Sequence, residues 1–174
     1  MSTFPDLTYV QSRARGIVSA WDEIPNIFVN MAAAGYPTAN LAIYAPIRLT
    51  LPMDVDRFLI SNGSPANVNV DVGIYDKWGN AIWRSGSTAQ GPSNDLQVFN
   101  ISPFLLGPGI YYLAIAMDGT TGQLMSVAGG LQFIRALGWL NQATAFTLPQ
   151  TATFAKATAA YMPLLSLASP GVTV

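Results

Sequence analysis

The chain has 174 residues and a mass of 18.5 kDa, and only 10% of its residues are charged while 51% are hydrophobic. It contains no cysteine and no histidine, so disulfides, thiolate nucleophiles and the commonest metal ligands are excluded. Eight Lys and Arg residues nearly balance nine Asp and Glu residues, and a chain of such low net charge is not expected to bind nucleic acid.

The first predicted unit, residues 1–40, is an irregular N-terminal arm that docks onto neighbouring molecules. Its sequence shows neither a signal peptide nor a helical period of hydrophobic residues, although residues 30–35 could form a short helical turn closed by glycine. Long uncharged runs at 24–47 and 96–117 contain several prolines and glycines, which prevent a continuous helix of about 20 apolar residues. We therefore expect no membrane partner.

Residues 41–128 are predicted to form a β-sandwich domain. The clearest signal is at residues 67–74, where apolar and polar side chains alternate strictly, as in a half-buried antiparallel strand. A turn at Gly79-Asn80 should return the chain as a hairpin, and a second hairpin should turn at residues 118–122. About seven short strands separated by Gly and Pro turns indicate an all-β fold, an antiparallel, jelly-roll-like β-sandwich.

The third predicted unit, residues 129–174, is an apolar and mostly extended C-terminal segment. Residues 131–137 could form one or two helical turns, but three prolines interrupt the remainder. Beyond Arg135 the only charged residue is Lys156, so the segment is expected to complete the sandwich in part or to pack on a neighbouring subunit. The residues predicted at such an interface are Trp139, Phe146, Phe154, Tyr161, Leu164 and Leu165.

Residues that could carry chemistry are few. The chain has a single glutamate, Glu23, and no evident acid pair for glycoside hydrolysis, so we expect neither a catalytic site nor a cofactor. Asp54 and Asp56 lie two positions apart, which places both carboxylates on one side of a strand. They are candidate calcium ligands, although the chain has no recognisable calcium-binding loop and solvated strand-edge residues are the simpler interpretation.

Three aromatic residues near the predicted hairpin tip are candidates for carbohydrate binding. Tyr75, Trp78 and Trp83 could form a platform of exposed rings, on which sugar rings stack in carbohydrate-binding modules. The alternative is that these rings cover the end of the sandwich or contact a partner chain.

Several short motifs follow one another along the central stretch. They are Val55-Asp56-Arg57, then Gly73-Ile74-Tyr75-Asp76, then a loop rich in Ser, Gly and Thr, then Leu106-Gly107-Pro108-Gly109 leading into Tyr111-Tyr112-Leu113-Ala114. In this order they resemble a β-sandwich module of tailed-bacteriophage virion proteins, notably tail fibres, appendages and head-decorating proteins. The resemblance covers about residues 45–128 and implies a structural protein located in the virion.

The sequence therefore predicts a structural component of a bacteriophage virion, either a head-decoration protein or a tail, fibre or collar protein. Its partners would be other virion proteins, capsid or tail subunits. It would form a homo-oligomer through apolar burial and the exchange of strands or arms at sheet edges. The alternative function is a carbohydrate-binding module that recognises a glycan receptor on the host.

Overall fold

In the computed structural model of the chain, residues 16–20, 31–127 and 129–173 are described. They form antiparallel β-strands and one short helix, numbered here in chain order. The larger sheet contains, in spatial order, β12 (Ala155–Lys156), β11 (Leu140–Gln142), β3 (Ala42–Leu49), β9 (Gly109–Met117), β5 (Asn69–Asp76) and β6 (Ala81–Arg84). The short strand β7 (Thr88–Ala89) also pairs with β5.

The other strands form two smaller sheets. One, called here the smaller sheet, has the spatial order β1 (Ile17–Ser19), β14 (Leu165–Ala168), β4 (Met53–Ser61) and β8 (Leu96–Leu106). The third sheet has the order β13 (Met162–Pro163), β10 (Gln123–Val127) and β2 (Met31–Gly35). The helix α1 (Leu131–Ala136) forms within the predicted helical segment.

The larger and the smaller sheet pack face to face around one hydrophobic core. The larger sheet contributes side chains such as Ile43, Val72 and Ile115, and the smaller sheet contributes Phe58 and Leu167. The longer strands β3, β4, β5, β8 and β9 place alternate residues in this core, because successive side chains of a strand point to opposite faces. The predicted antiparallel β-sandwich is thus confirmed, while the jelly-roll connectivity stays a prediction.

The larger sheet is buried on its second face as well. Residues 145–152, which follow β11, cover this face and form a second cluster with Tyr44 and Tyr75. The prediction of a half-buried strand at residues 67–74 is therefore wrong, since nearly every residue of β5 is buried. Asp71 and Tyr75 of β5 face the covering segment, to which they are hydrogen-bonded, where solvent was expected.

One of the two predicted hairpins is present. Strands β5 and β6 pair around the turn that contains Gly79 and Asn80. The second prediction is wrong, because residues 118–122 lead from β9 into β10, which pairs with β2 and β13 instead of β9. The predicted helical turn at residues 30–35 is also wrong, because residues 31–35 form β2 and pair along the whole length of β10.

The predicted C-terminal segment supplies strands to all three sheets. β11 and β12 extend the larger sheet, β13 joins the third sheet, and β14 lies inside the smaller sheet between β1 and β4. Of the predicted N-terminal arm, residues 1–15 and 21–30 lie outside the described residues, and the remainder includes β1 and β2. In the described part of the chain, no helix has the length and apolarity needed to cross a membrane.

Candidate functional site

Three turns meet at one end of the sandwich, which we call the turn end: residues 50–52, 77–80 and 107–108. The pairing of β3, β9 and β5 brings them together, with Leu49 opposite Gly109 and Asp76 opposite Tyr111. An open groove of about 880 Å³ lies at this end. Its lining residues include Arg48, Thr50, Asp76, Lys77, Trp78, Ile110 and Tyr111.

The carboxylate of Asp76 holds the turn of residues 77–80 in shape. Its Oδ1 accepts hydrogen bonds from the backbone N–H groups of Trp78, at 2.9 Å, and Asn80, at 2.8 Å. Its Oδ2 accepts a third from the side-chain amide of Asn80 at 2.9 Å. Desolvation is the largest single effect and opposes ionisation of Asp76, but the hydrogen bonds from Asn80, Trp78 and Gly79 together outweigh it and lower the pKa of this carboxyl.

Gly79 and the C-terminal segment hold the same turn from the other side. The φ angle of Gly79 is +91°, in the region that residues with a Cβ rarely adopt. A Cβ at this position would lie 2.8 Å from the carbonyl oxygen of Ala152. The backbone N–H of Ala152 in turn donates to the Gly79 carbonyl at 2.8 Å, so the hairpin tip is fixed at both of its flanks.

Trp78 projects from this fixed turn with 70% of its surface exposed, more than any other large hydrophobic side chain of the described residues. The Lys77 Nζ lies 4.0 Å from the centroid of the indole ring, a cation–π contact. Within the described residues, neither Lys77 nor Arg48 forms an ion pair or a side-chain hydrogen bond. The groove therefore combines an exposed aromatic ring with two cations whose charges are not paired.

The predicted platform of three aromatic rings is not present. Tyr75 is buried in the second cluster, where its ring packs edge-on against Tyr44 with centroids 5.3 Å apart. Trp83 faces the opposite side of the sheet and stacks on Phe58 of the sandwich core, with centroids 6.2 Å apart. Of the three predicted rings, only that of Trp78 lies in the groove.

The two calcium candidates lie on the smaller sheet. Met53 and Val55 of β4 are buried in the core, so the intervening Asp54 and Asp56 point to the other face of the strand. Asp56 forms an ion pair with Arg57 at 3.0 Å. Among the described residues, no three Asp, Glu, His or Cys side chains come together in a group that could hold a metal ion. Glu23 lies outside the described residues.

The alternation in the sequence predicts that Asp71 of β5 faces solvent, but its carboxylate is buried. Its Oδ2 accepts a hydrogen bond from the backbone N–H of Leu148 at 2.9 Å, and its Oδ1 accepts one from the Ser85 hydroxyl at 3.1 Å. Burial raises the pKa of Asp71, and the hydrogen bonds and the nearby Arg84 charge only partly offset this effect. Both oxygens bind donors of the chain itself, so Asp71 anchors the segment that covers it.

A second cleft, of about 420 Å³, runs beside Asp71 along β6. Thr147 and Gln150 of the covering segment line one side of it. The Arg84 side chain reaches across the cleft and donates hydrogen bonds to the Leu148 carbonyl and to Gln150 Oε1. The polar groups of this cleft are thus engaged in holding the segment on the sheet, which makes the turn end the stronger candidate for a binding site.

Of the six residues predicted at a subunit interface, three are buried within their own chain, and for these three the prediction is wrong. Trp139, Tyr161 and Leu165 are buried in the sandwich core, with 2%, 7% and 0% of their surfaces exposed. Phe146 and Phe154 are half-buried against the second cluster, and Leu164 is half-buried against the sandwich core. The low charge of residues 139–167 fits a segment that packs partly in the core of its own sandwich and partly on the second face of the larger sheet.

Apolar side chains are exposed instead on the outer strand of the smaller sheet. β8 pairs with β4 on one side, and no strand of the described residues pairs with its other side. Gln97 and Phe99 point inward and are buried, while Leu96 and Val98 point outward with 41% and 39% of their surfaces exposed. This strand is the second candidate surface of the molecule.

Comparison of the chain with models of known protein families gives no match, and comparison with curated proteins gives no match either. The functional interpretation therefore depends on the geometry of the groove at the turn end and of the β8 edge, together with the sequence resemblance of residues 45–128.

Proposed function

We propose that this chain is a structural subunit of a bacteriophage virion, and that the exposed edge of β8 joins it to a neighbouring copy. The observation that carries the proposal is the exposed row of Leu96 and Val98 on a strand whose outer edge is unpaired in the described structure. The virion assignment itself comes from the sequence resemblance of residues 45–128 to virion β-sandwich modules.

An unpaired strand edge is a ready template for another strand. Its outward N–H and C=O groups can continue the sheet into a second chain, and natural proteins usually protect such edges. In β8 only the C-terminal half of the strand, residues 101–106, carries features that hinder pairing with another strand. The pairing with β4 shifts register between Val55 and Arg57, and the additional residues on β8 include Pro103, which has no N–H to donate. Residues 96–100 remain regular and are the part proposed to pair.

The strength of this contact decides where it would operate. Fully burying a Leu or Val side chain is worth about 1.5–3 kcal/mol, so burial of the exposed two-fifths of Leu96 and Val98 in both copies contributes at most about 2–5 kcal/mol, because edge pairing leaves the outer face of the sheet in solvent. A dissociation constant of 1 mM corresponds to about 4 kcal/mol. The edge should therefore associate weakly in dilute solution and firmly where neighbouring copies are held close together, as on the surface of a particle.

The self-association is tested by sedimentation velocity of the full chain over a wide concentration range. We expect concentration-dependent association that Val98→Lys weakens, because antiparallel pairing of residues 96–100 with their copy would place two lysines opposite each other, where like charges repel. Phe133→Lys, at a side chain on α1 that is 46% exposed, is the matched control and should leave association unchanged. Equal association of all three proteins would exclude β8 as the contact.

The location in a virion needs its own experiment. An antibody against the chain should label purified phage particles from the source organism in negative-stain micrographs, at regularly repeated positions. Labelling confined to fractions without particles would contradict the structural role.

A further inference from the structure

We propose that the groove at the turn end binds an acidic saccharide, with a sugar ring stacked on Trp78 and the anionic group held by Arg48. This site is separate from the β8 edge and uses none of its residues, so it stands or fails independently of the proposed assembly role. The ligand class follows from three features of the groove: the exposure of Trp78, the electron-rich face of its ring and the positive charge of the lining.

The first feature is the exposure of Trp78. The turn that carries it is formed by the Asp76 carboxylate, by backbone N–H groups and by Asn80, none of which needs an indole at position 78. Leaving 70% of the apolar indole of Trp78 in water is unfavourable for the isolated chain. Because the backbone of the turn is held by Asp76 and Ala152, little backbone entropy is lost when a ligand binds to the ring.

The second feature is the electron-rich face of that ring. It already attracts one positive group, the Lys77 ammonium at 4.0 Å. The C–H groups on one face of a sugar ring carry small positive charges and are attracted in the same way, while they also bury apolar surface against the indole. Ile110, which lines the same groove and is 48% exposed, extends this apolar surface across the neighbouring strand β9.

The third feature is the charge of the groove. Arg48 and Lys77 carry two positive charges that no carboxylate of the described residues pairs, and the guanidinium of Arg48 presents a planar set of donors that matches a carboxylate or a sulfate. The acidic lining residue, Asp76, uses both carboxylate oxygens within the turn. The groove therefore favours an anionic sugar over a neutral one.

Other ligand classes fit this groove less well. A nucleic acid needs many phosphate contacts, whereas the groove offers two cations on a chain with a net charge of −1. An extended peptide binds by adding a strand to a sheet edge, but the turn end is where β3, β9 and β5 terminate, and their edges are already paired with each other.

The test is a calorimetric titration of the full chain with three probes: trigalacturonate, a sulfated heparin disaccharide and neutral maltotriose. We expect one of the two acidic probes to bind at least about tenfold more tightly than maltotriose. Tighter binding of trigalacturonate would identify a carboxylate as the recognised group, and tighter binding of the heparin disaccharide would identify a sulfate ester.

Variants locate the site. Trp78→Ala and Arg48→Gln should each weaken binding of the acidic probe about tenfold, since each removes one of the two main contacts. Lys156→Gln is the matched control, because Lys156 is an exposed cation on β12 at the opposite edge of the larger sheet, and it should bind like the parent chain. Both groove positions are exposed, and amide NMR spectra of each variant verify that the fold is retained. Absence of binding by all three probes at millimolar concentration, or equal losses for Arg48→Gln and Lys156→Gln, would overturn the proposal.

Discussion

The carboxylate of Asp71 and the backbone N–H of Leu148 are separated by 77 positions in the sequence and by 2.9 Å in the structure. This hydrogen bond holds residues 145–152 against the second face of the larger sheet. Two consequences can be measured. Substitution of Asp71 should change the free energy of unfolding, and the ionisation of Asp71 should make that free energy depend on pH.

Replacement of Asp71 by alanine should destabilise the chain by about 1–3 kcal/mol, because it leaves the buried N–H of Leu148 without an acceptor. Asp71→Asn is the control, since its amide oxygen can accept from Leu148 while its amide nitrogen donates to Ser85. Urea unfolding of both variants provides the measurement. A loss for Asp71→Asn as large as that for Asp71→Ala would show that the charge matters more than the acceptor.

The stability of the parent chain should also depend on pH through Asp71. Burial raises the pKa of this carboxyl in the folded state, so the folded chain binds more protons than the unfolded chain at pH values between the ordinary Asp pKa and the raised one. The free energy of unfolding should therefore fall as pH rises through this interval. Unfolding curves at a series of pH values should show this slope in the parent chain and a flatter profile in Asp71→Asn.

Asp76 should change the stability of the chain with pH in the opposite direction to Asp71. Its pKa is lowered in the folded state, so its contribution to stability is present above the ordinary Asp pKa and is lost as pH falls through the lowered value. Asp76→Asn should accordingly change the profile on the acidic side. If both variants altered the same part of the profile, the assignment of the two carboxyl groups would be wrong.

The hairpin tip should be sensitive to a single methyl group. Gly79→Ala would place a Cβ 2.8 Å from the Ala152 carbonyl oxygen at a φ of +91°, and we expect a loss of about 1–3 kcal/mol in unfolding free energy. Gly107→Ala at the neighbouring turn is the matched control, because no atom lies within 4 Å of its added Cβ. That variant should be neutral or more stable by about 0.4–1 kcal/mol.

Much of the sandwich could be predicted from the sequence because its signals are local. The alternation of Val70, Val72 and Ile74 correctly placed these side chains in the core, and the Gly79-Asn80 pair marked a real turn. Such signals depend only on a few neighbouring residues, because alternation along a strand decides which face each side chain occupies and a Gly-Asn pair favours a tight turn.

The parts that could not be predicted depend on distant partners. Residues 31–35 contain three alanines, which favour helix, but their pairing with β10 outweighs this preference. The low charge of the C-terminal segment indicates burial without telling which molecule buries it, so Trp139 suited a subunit interface as well as its own core. Tyr75, Trp78 and Trp83 lie close together in sequence, yet alternation and pairing send the first and last to opposite faces of the sheet.

Arg57 of β4 holds the residues that follow β14 against the smaller sheet. Its Nη1 donates to the Val172 carbonyl at 2.6 Å and its Nη2 to the Ser169 carbonyl at 2.8 Å. Arg57→Lys cannot reproduce this planar pair of bonds, and we expect a loss of about 1–3 kcal/mol, with faster amide hydrogen exchange at residues 169–172. Arg48→Lys, at a guanidinium without such bonds, serves as the control and should exchange and unfold like the parent chain.

The position of β14 between β1 and β4 has a consequence for the order of events during synthesis. β4 ends at Ser61 and its partner β14 ends at Ala168, so the side of β4 that β14 will occupy stays open while about a hundred residues are translated, roughly 5–20 s on a ribosome. β1 waits longer still, because its partner in the described structure is β14 alone. The nascent chain therefore exposes an incomplete sheet until late in translation, and unpaired strand edges of this kind are where incompletely folded chains associate with one another.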